Sequence, residues 1–458
     1  MFVGRERELK KMNTLYDSGH FEFAVFYGRR RVGKTTLIKE FIKDKEAFYY
    51  MATEATKAEN LAGLSAAILS PDSQLTFSDF EDLLKYVDRI CNEKRLILVI
   101  DEYPYLAASY PAISSLLQSH IDNCWQNSKL FLILCGSSMS FMENQVLGYK
   151  SPLYGRRTTQ FKLHPFTYFE AKQMLATYNH EEQAILYGVT GGIPEYLNRI
   201  NPSMNMDDNI RELFFEESGR LFEEPNNLLK QELREPASYH SIISAIASGS
   251  SRVNEIATKT GLETSGCSNQ LSALISLGIV KKEIPIMEKE TSRRTLYHLN
   301  DNMFLFWYRF VRPNLSAIAR GAGSAIYDGI VKPQLSDFMG KIFEEICIQY
   351  LFLPHIYVKT PFPIGNIGRW WGTNPLTKSQ EEIDIVATSD DNTILGECKW
   401  RNYPVDTGII QTLLNRSTLF PYGQKHFYIF SKSGFTEAAY ELGIQSGVRM
   451  ICFEEMNQ

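Results

Sequence analysis

Long apolar runs are missing from this 458-residue chain. The strongest, Leu96 to Ile100 and Phe131 to Cys135, fall far short of the roughly 20 residues that cross a bilayer, so no membrane-spanning helix is expected. A CxxC pair is also missing. The seven cysteines (91, 124, 135, 267, 347, 398, 452) are scattered, as in a reduced cytoplasmic protein and unlike a disulfide scaffold. The start, MFVGRERELKK, has charge in its first turn and lacks an apolar signal core, so export is not expected. Positive charge is not in excess. Lys and Arg number 48 against 53 Asp and Glu, a net charge of −5, so no global field gathers nucleic acid or anionic lipid and any DNA contact is local. No repeat of fixed period and no low-complexity tract is visible.

What is present is an ordinary globular composition, 44% hydrophobic and 22% charged with 28 Phe and 24 Tyr, which excludes disorder as the main theme. The length suggests about three domains at roughly 150 residues each. Phe23–Tyr27, Ala47–Tyr50, Leu96–Ile100 and Phe131–Cys135 are short, nearly continuous apolar runs separated by helix-length amphipathic sequence, which predicts buried parallel strands with crossover helices over residues 1–164. Residues 165–236 are helical in pattern with a Gly191-Gly192 break, and read as a helical lid. Over 237–312, three helix-like segments precede two extended stretches, Ile279–Ile286 and Thr295–Leu299, the winged-helix pattern. The tract RGAGSAIYDG within 313–336 is small and Gly-rich and reads as a linker. Residues 337–458 read as a separate mixed domain.

Phe23–Tyr27 runs straight into Gly28-Arg29-Arg30-Arg31-Val32-Gly33-Lys34-Thr35, which fits GxxxxGK[ST], and a helix follows from Thr36. Glycines let backbone N–H groups wrap phosphates. The helix start adds its positive dipole end, Lys34 is placed for the β- and γ-phosphates of ATP, and the Thr35 hydroxyl for Mg²⁺. Leu96–Ile100 ends in Asp101-Glu102, where ligands of open α/β sheets sit. Asp101 is expected to hold Mg²⁺ and Glu102 to polarise the attacking water. Phe131–Cys135 ends in Gly136-Ser137, and Ser137 is the residue expected to feel the γ-phosphate.

These residues, with Phe2-Val3-Gly4-Arg5-Glu6, Leu153-Tyr154-Gly155-Arg156-Arg157 and Gly191-Gly192-Ile193-Pro194, resemble the archaeal-type P-loop ATPases of the AAA+/STAND group over about the first 200 residues. The resemblance implies that Val3, Gly4 and Arg5, with Gly192 and Pro194 of the lid, flank the adenine. It also implies that Gly28, Arg31, Val32, Gly33, Lys34, Thr35 and Thr36 cradle the phosphates, and that Arg156 senses the γ-phosphate.

In the tail, EIDIVA (382–387) and ILGECK (394–399) are joined by turn residues, which predicts a hairpin. A turn centred on Asp390–Asp391 opposes positions whose numbers add to 781, placing Asp384 across from Glu397 with Cβ atoms ~5 Å apart. Lys399 points the same way. Such a cluster suits Mg²⁺ or Mn²⁺, the lysine activating a water for attack on a phosphodiester. The tail resembles the PD-(D/E)xK nuclease superfamily, of restriction-endonuclease-like fold. Asp384 matches the lone acid, Glu397-Cys398-Lys399 the ExK, and Glu344 the helix acid, so Glu344, Asp384 and Glu397 are the expected ligands of a second divalent metal. Ile383 stands where the superfamily has proline. It also resembles the nuclease-like domain of unknown function found behind such ATPases.

From Arg320 onward, 12 Lys and Arg stand against 15 Asp and Glu, which counts against tight DNA binding by the tail alone. Residues 237–312 carry 9 basic against 6 acidic residues, and Lys281, Lys282, Arg293 and Arg294 flank the wing. The expected architecture is an α/β multidomain protein: a P-loop parallel-sheet core, a helical lid, a winged helix and a C-terminal α/β domain. The sequence supports two functions. One is a nucleotide-switched ATPase whose tail processes nucleic acid; the other is a signalling ATPase whose winged helix and tail are non-catalytic binding modules. Partners on these readings are ATP and ADP, DNA, and a protein or further copies of this chain, with no membrane.

Overall fold

The computed structural model describes residues 2–69, 75–233, 235–375, 377–389, 391–420 and 423–458. The chain divides into two compact units, Met1–Phe166 with Ile193–Glu195, and Thr167–Gly192 with Tyr196–Gln458. No helix among the described residues is long and apolar enough to cross a membrane.

In the first unit the apolar runs become β1 (Glu22–Tyr27), β2 (Ala47–Met51), β3 (Leu96–Asp101) and β4 (Leu130–Gly136), joined by a short β5 (Thr159–Lys162). All pair in parallel, in the order β2-β3-β4-β1-β5. Every residue of β1, β3 and β4 is buried, as expected of central strands covered on both faces. The core joins their Leu, Ile and Val side chains to Leu83, Leu84 and Val87 of the helix Phe80–Glu93, which Asp79 caps by accepting from the Asp82 N–H. Because the strands are parallel, the ends of β1, β3 and β4 emerge on one edge of the sheet. That edge carries Gly28, Glu102 and Ser137.

The second unit begins with short helices. Those at Tyr168–Ala171 and His180–Thr190 start in capping boxes, Thr167 with Glu170 and Asn179 with Glu182. Three helices (Pro236–Ala247, Val253–Thr260, Thr264–Ser276) then precede an antiparallel pair, β6 (Val280–Glu283) and β7 (Leu296–Leu299). The stretch 313–336 is not a linker, contrary to its composition. It is helical almost throughout, and Ile318, Gly323, Ile326, Tyr327 and Val331 are buried. Gly323 is required there because a Cβ would stand 1.7 Å from the Phe215 carbonyl oxygen, so its small size serves close packing.

The helix Leu335–Leu351 leads into a second five-stranded sheet, β8 (Asn366–Thr373), β9 (Gln380–Thr388), β10 (Asn392–Lys399), β11 (Gln424–Ser431) and β12 (Val448–Cys452), ordered β12-β11-β10-β9-β8. β8, β9 and β10 are antiparallel neighbours, whereas β10, β11 and β12 run parallel. The β9–β10 pairs Thr388–Thr393, Ala387–Ile394, Val386–Leu395 and Ile385–Gly396 all fall in the expected register. Asp390, half of the expected turn centre, lies outside the described residues. The tail is not separate from the β6–β7 region: Ile286 belongs to the tail core, and its N–H donates to the Arg369 carbonyl at 2.9 Å.

Candidate functional site

The first site forms where β1 turns into the helix Lys34–Ile42. Gly28 has φ +150, and a Cβ there would meet the Leu163 carbonyl oxygen at 2.4 Å, so only glycine lets the loop leave the strand at this point. Arg31 is left-handed at φ 70, and the φ of Gly33 is 90. The backbone therefore curls tightly, as a phosphate cradle requires. Lys34 is buried, and its Nζ donates to the Gly28 and Arg29 carbonyls at 2.8 and 2.9 Å across the loop. Burial lowers the ammonium's pKa, while Cys135, Glu102 and Asp101 oppose that shift.

Thr35 Oγ1 donates to Asp101 Oδ2 at 2.7 Å. Tyr49, in the middle of β2, donates to the same oxygen at 2.8 Å, and the Glu102 N–H to Oδ1 at 2.9 Å. The fully buried Asp101 carboxylate is thereby fixed on three sides. Burial and Asp101 together push the Tyr49 phenol pKa up. Tyr49 is a site residue that no sequence motif marks, because its role depends on β2 lying beside β3.

Glu102 adopts φ 49, ψ 42. A non-glycine residue in this region costs on the order of 1–2 kcal/mol, strain of the kind that clusters at functional sites. Its Oε2 accepts from the Ser137 hydroxyl at 2.9 Å and the Ser137 N–H at 3.3 Å. The ends of β3 and β4 are joined by this contact.

Arg5, left-handed at φ 66 after Gly4, reaches the Val32 and His164 carbonyls and lies over the Phe166 ring at 4.7 Å. The segment containing Val3, Gly4 and Arg5 is thus tied to the phosphate loop. Pro194 stands beside Gly33, 3.9 Å from where a Cβ would be. Thr36 is exposed, and Gly192 belongs to the second unit. Arg156 is not joined to the phosphate loop. Its Nε and Nη2 each meet an Asp122 carboxylate oxygen at 2.7 Å, and its Nη1 donates to the Pro152 and Tyr154 carbonyls. A bidentate carboxylate and two carbonyls engage the guanidinium in this arrangement.

The chain matches two family models. Residues 2–200 match one described as an ATPase domain predominantly from Archaea, and residues 307–410 match one described as archaeal and bacterial proteins of unknown function. An uncharacterized protein of Methanocaldococcus jannaschii is 34% identical over 407 residues, 88% of this chain and 88% of that protein. The chain belongs to the archaeal-type P-loop ATPase family. The Walker-type ATPase paby2304 of Pyrococcus abyssi shares the fold with TM-score 0.51 at 18% identity, over 67% of this ATPase and 96% of that chain. A shorter relative, an uncharacterized ATP-binding protein of the same Methanocaldococcus, is 44% identical over 46 residues, 10% of this ATPase and 78% of that protein.

The ATPase carries a second cluster in its tail sheet. Lys399 Nζ lies 3.2 Å from Asp384 Oδ2 and 2.5 Å from Glu397 Oε2. The Cys398 N–H donates to Asp384 Oδ2 at 2.9 Å. Arg416, in the last turn of the helix Thr407–Arg416, donates to Glu397 Oε1 at 2.9 Å and to Glu381 at 2.8 Å. Glu344, from the helix Leu335–Leu351, lies 3.3 Å from Arg369 Nε. Burial, with Asp384 next in effect, raises the Glu344 pKa to about 7. Burial and Asp384 also raise that of Glu397. The lysine is desolvated too, but its two carboxylates raise its pKa.

Asp384, Glu397 and Lys399 therefore meet, while Glu344 faces Arg369. The ligand atoms of Glu344, Asp384 and Glu397 do not all lie within 4.8 Å of one another. Lys399 engages Asp384 Oδ2 and Glu397 Oε2 and Arg416 engages Glu397 Oε1, so a cation binding through those oxygens competes with these groups. Arg416 and Arg369 were beyond sequence reading, since each reaches its carboxylate only through tertiary packing. Trp370 packs on Phe420 at 5.1 Å between ring centroids, and Trp400 on Phe343 and Phe453, so both serve the core.

Proposed function

We propose that the protein is a nucleotide-switched ATPase that binds ATP with Mg²⁺ at Gly28–Thr36 and couples its turnover to a nuclease-like tail that processes nucleic acid. The observation that carries the nucleotide half is the meeting of Thr35 Oγ1 and Asp101 Oδ2 at 2.7 Å beside the looped-over Lys34. Two hard oxygens at this spacing fit Mg²⁺, and the ammonium is placed for phosphate once it releases the Gly28 and Arg29 carbonyls. When bound, the metal neutralises charge on the phosphates. Lys34 and the loop N–H groups orient them, Asp101 and Thr35 hold their oxygens in place, and Glu102 is the base that takes the proton of the attacking water. Release from Ser137 is the step that frees its carboxylate. ATP turnover by the full chain, lost in Lys34→Ala, tests this half.

The tail half is supported by the β9–β10 register, the convergence of Asp384 and Glu397 on Lys399, and the mixed sheet beside a helix bearing Glu344. Residues 237–312, which hold three helices and a hairpin, are read as a winged helix that contributes phosphate contacts. Several of its cations are engaged internally: Lys281 with Glu283 at 3.7 Å, Lys282 with the Glu290 carbonyl and Arg294 with Glu288. One observation favours the alternative of a non-catalytic binding module. Arg416 and Lys399 already neutralise Glu397, as a structural ion network would. A metal-dependent cleavage assay with single-stranded, duplex and branched DNA decides between the two. Cleavage lost in Asp384→Asn supports the nuclease, and no cleavage of any substrate supports the module.

A further inference from the structure

We propose that the ATPase unit carries a Zn²⁺ site formed by Asp88, His120 and Cys124. Among the described residues, these three are the group whose potential ligand atoms all lie within 4.8 Å of one another. The site uses no residue of the nucleotide site.

His120 and Cys124 are four residues apart on the helix Ile113–Asn123 and its C-cap, so they lie one above the other on one face. Asp88 comes from the helix Phe80–Glu93. Its Oδ1 and Oδ2 each lie 3.1 Å from His120 Nδ1. Nitrogen and oxygen ligands of tetrahedral zinc, about 2.0 Å from the ion, stand roughly 3.3 Å apart, so Asp88 and His120 already have the spacing of one tetrahedral edge. A thiolate, an imidazole and a carboxylate form a mixed S, N, O set that suits Zn²⁺ and is too soft for Mg²⁺ or Ca²⁺.

One neighbour orients the carboxylate and a second stands near the imidazole. The buried Trp125 donates its Nε1–H to Asp88 Oδ1 at 2.6 Å, which leaves Oδ2 for the ion. Glu81, one helical face with Asp88, places Oε1 4.0 Å from His120 Nε2. The same oxygen lies 3.5 Å from Lys85 Nζ, and on closing to hydrogen-bond distance Glu81 would become the outer partner that fixes the tautomer of a metal-bound histidine. His120 is buried and Cys124 exposed, so the protein surrounds the ion on one side and water supplies the fourth position from the other. Binding replaces the thiol proton of Cys124, which passes to solvent.

The test is a titration of metal-free full-length protein with Co²⁺, followed by displacement with Zn²⁺. A thiolate-to-cobalt charge-transfer band should rise to saturation at a single equivalent and vanish on adding Zn²⁺. Cys124→Ser should lose the band and bind Zn²⁺ at least about tenfold more weakly, and His120→Gln should weaken binding as much. Asp384→Asn, which alters the tail cluster, should leave the band unchanged. No band at saturating Co²⁺, or a band that survives Cys124→Ser, overturns the site. Cys124 is exposed, so its replacement by serine leaves the fold intact and the comparison interpretable.

Discussion

The Ser137 hydroxyl donates to Glu102 Oε2 at 2.9 Å, tying the residue at the end of β4 to the carboxylate at the end of β3. The group assigned to the attacking water is therefore held by a neighbour that itself faces the nucleotide edge of the sheet. Glu102→Gln keeps the shape and the hydrogen bond but removes the base. Turnover is expected to fall about 10²–10⁴-fold with ATP affinity nearly unchanged, because activating water matters in the transition state and little in the ground state. Single-turnover hydrolysis measured beside equilibrium binding checks this; full turnover in the variant assigns the water to another group.

Tyr49 anchors Asp101 from a neighbouring strand. Tyr49→Phe removes that donor while Thr35 remains. The Mg²⁺ concentration for half-maximal turnover should rise about tenfold, with turnover at saturating Mg²⁺ close to wild type. An unchanged Mg²⁺ requirement would mean that Asp101 is positioned without the phenol.

The elements around the proposed nucleotide site were legible in the sequence because they are contiguous: strand, loop and helix follow one another from Phe23 to Ile42, and Asp101-Glu102 directly ends an apolar run. The hairpin register in the tail was legible for the same reason, since a short turn fixes which positions oppose. What escaped depends on distant chain. Tyr49, Arg369 and Arg416 reach their carboxylates only through packing. β5 is four residues long with alternating burial, too weak a signal at a sheet edge. The stretch 313–336 looked like a linker because glycine suits both flexible chain and tight packing, and only the Phe215 carbonyl beside Gly323 decides between them.

Glu344 gives the tail a pH signature. Its folded pKa, about 7, lies above the usual 4.5, so the folded state holds the proton more tightly than the unfolded state does. The stabilisation is complete below about pH 4.5 and is lost as pH rises through about 7. Glu344→Gln, neutral at every pH, lacks this loss. Thermal melts of both proteins across that window should show the variant gaining on wild type as pH rises, and parallel curves would remove Glu344 from the account.

Lys399→Ala leaves Asp384 and Glu397 buried without the ammonium between them, a change expected to cost roughly 3–5 kcal/mol. A divalent cation then replaces the missing charge. Mn²⁺ should raise the melting temperature of Lys399→Ala more than that of wild type, and the added substitution Asp384→Asn should abolish the difference. Equal Mn²⁺ responses in all three proteins would show that the cluster holds no metal.

The central claim, that the loop Gly28–Thr36 binds ATP through Lys34, is tested most directly by calorimetric titration of the full chain with ATP and Mg²⁺, wild type against Lys34→Ala. The lost charge-assisted contact is worth ~1.5–3 kcal/mol, so affinity should fall at least about tenfold. Equal affinities in the two proteins would contradict the assignment of the site.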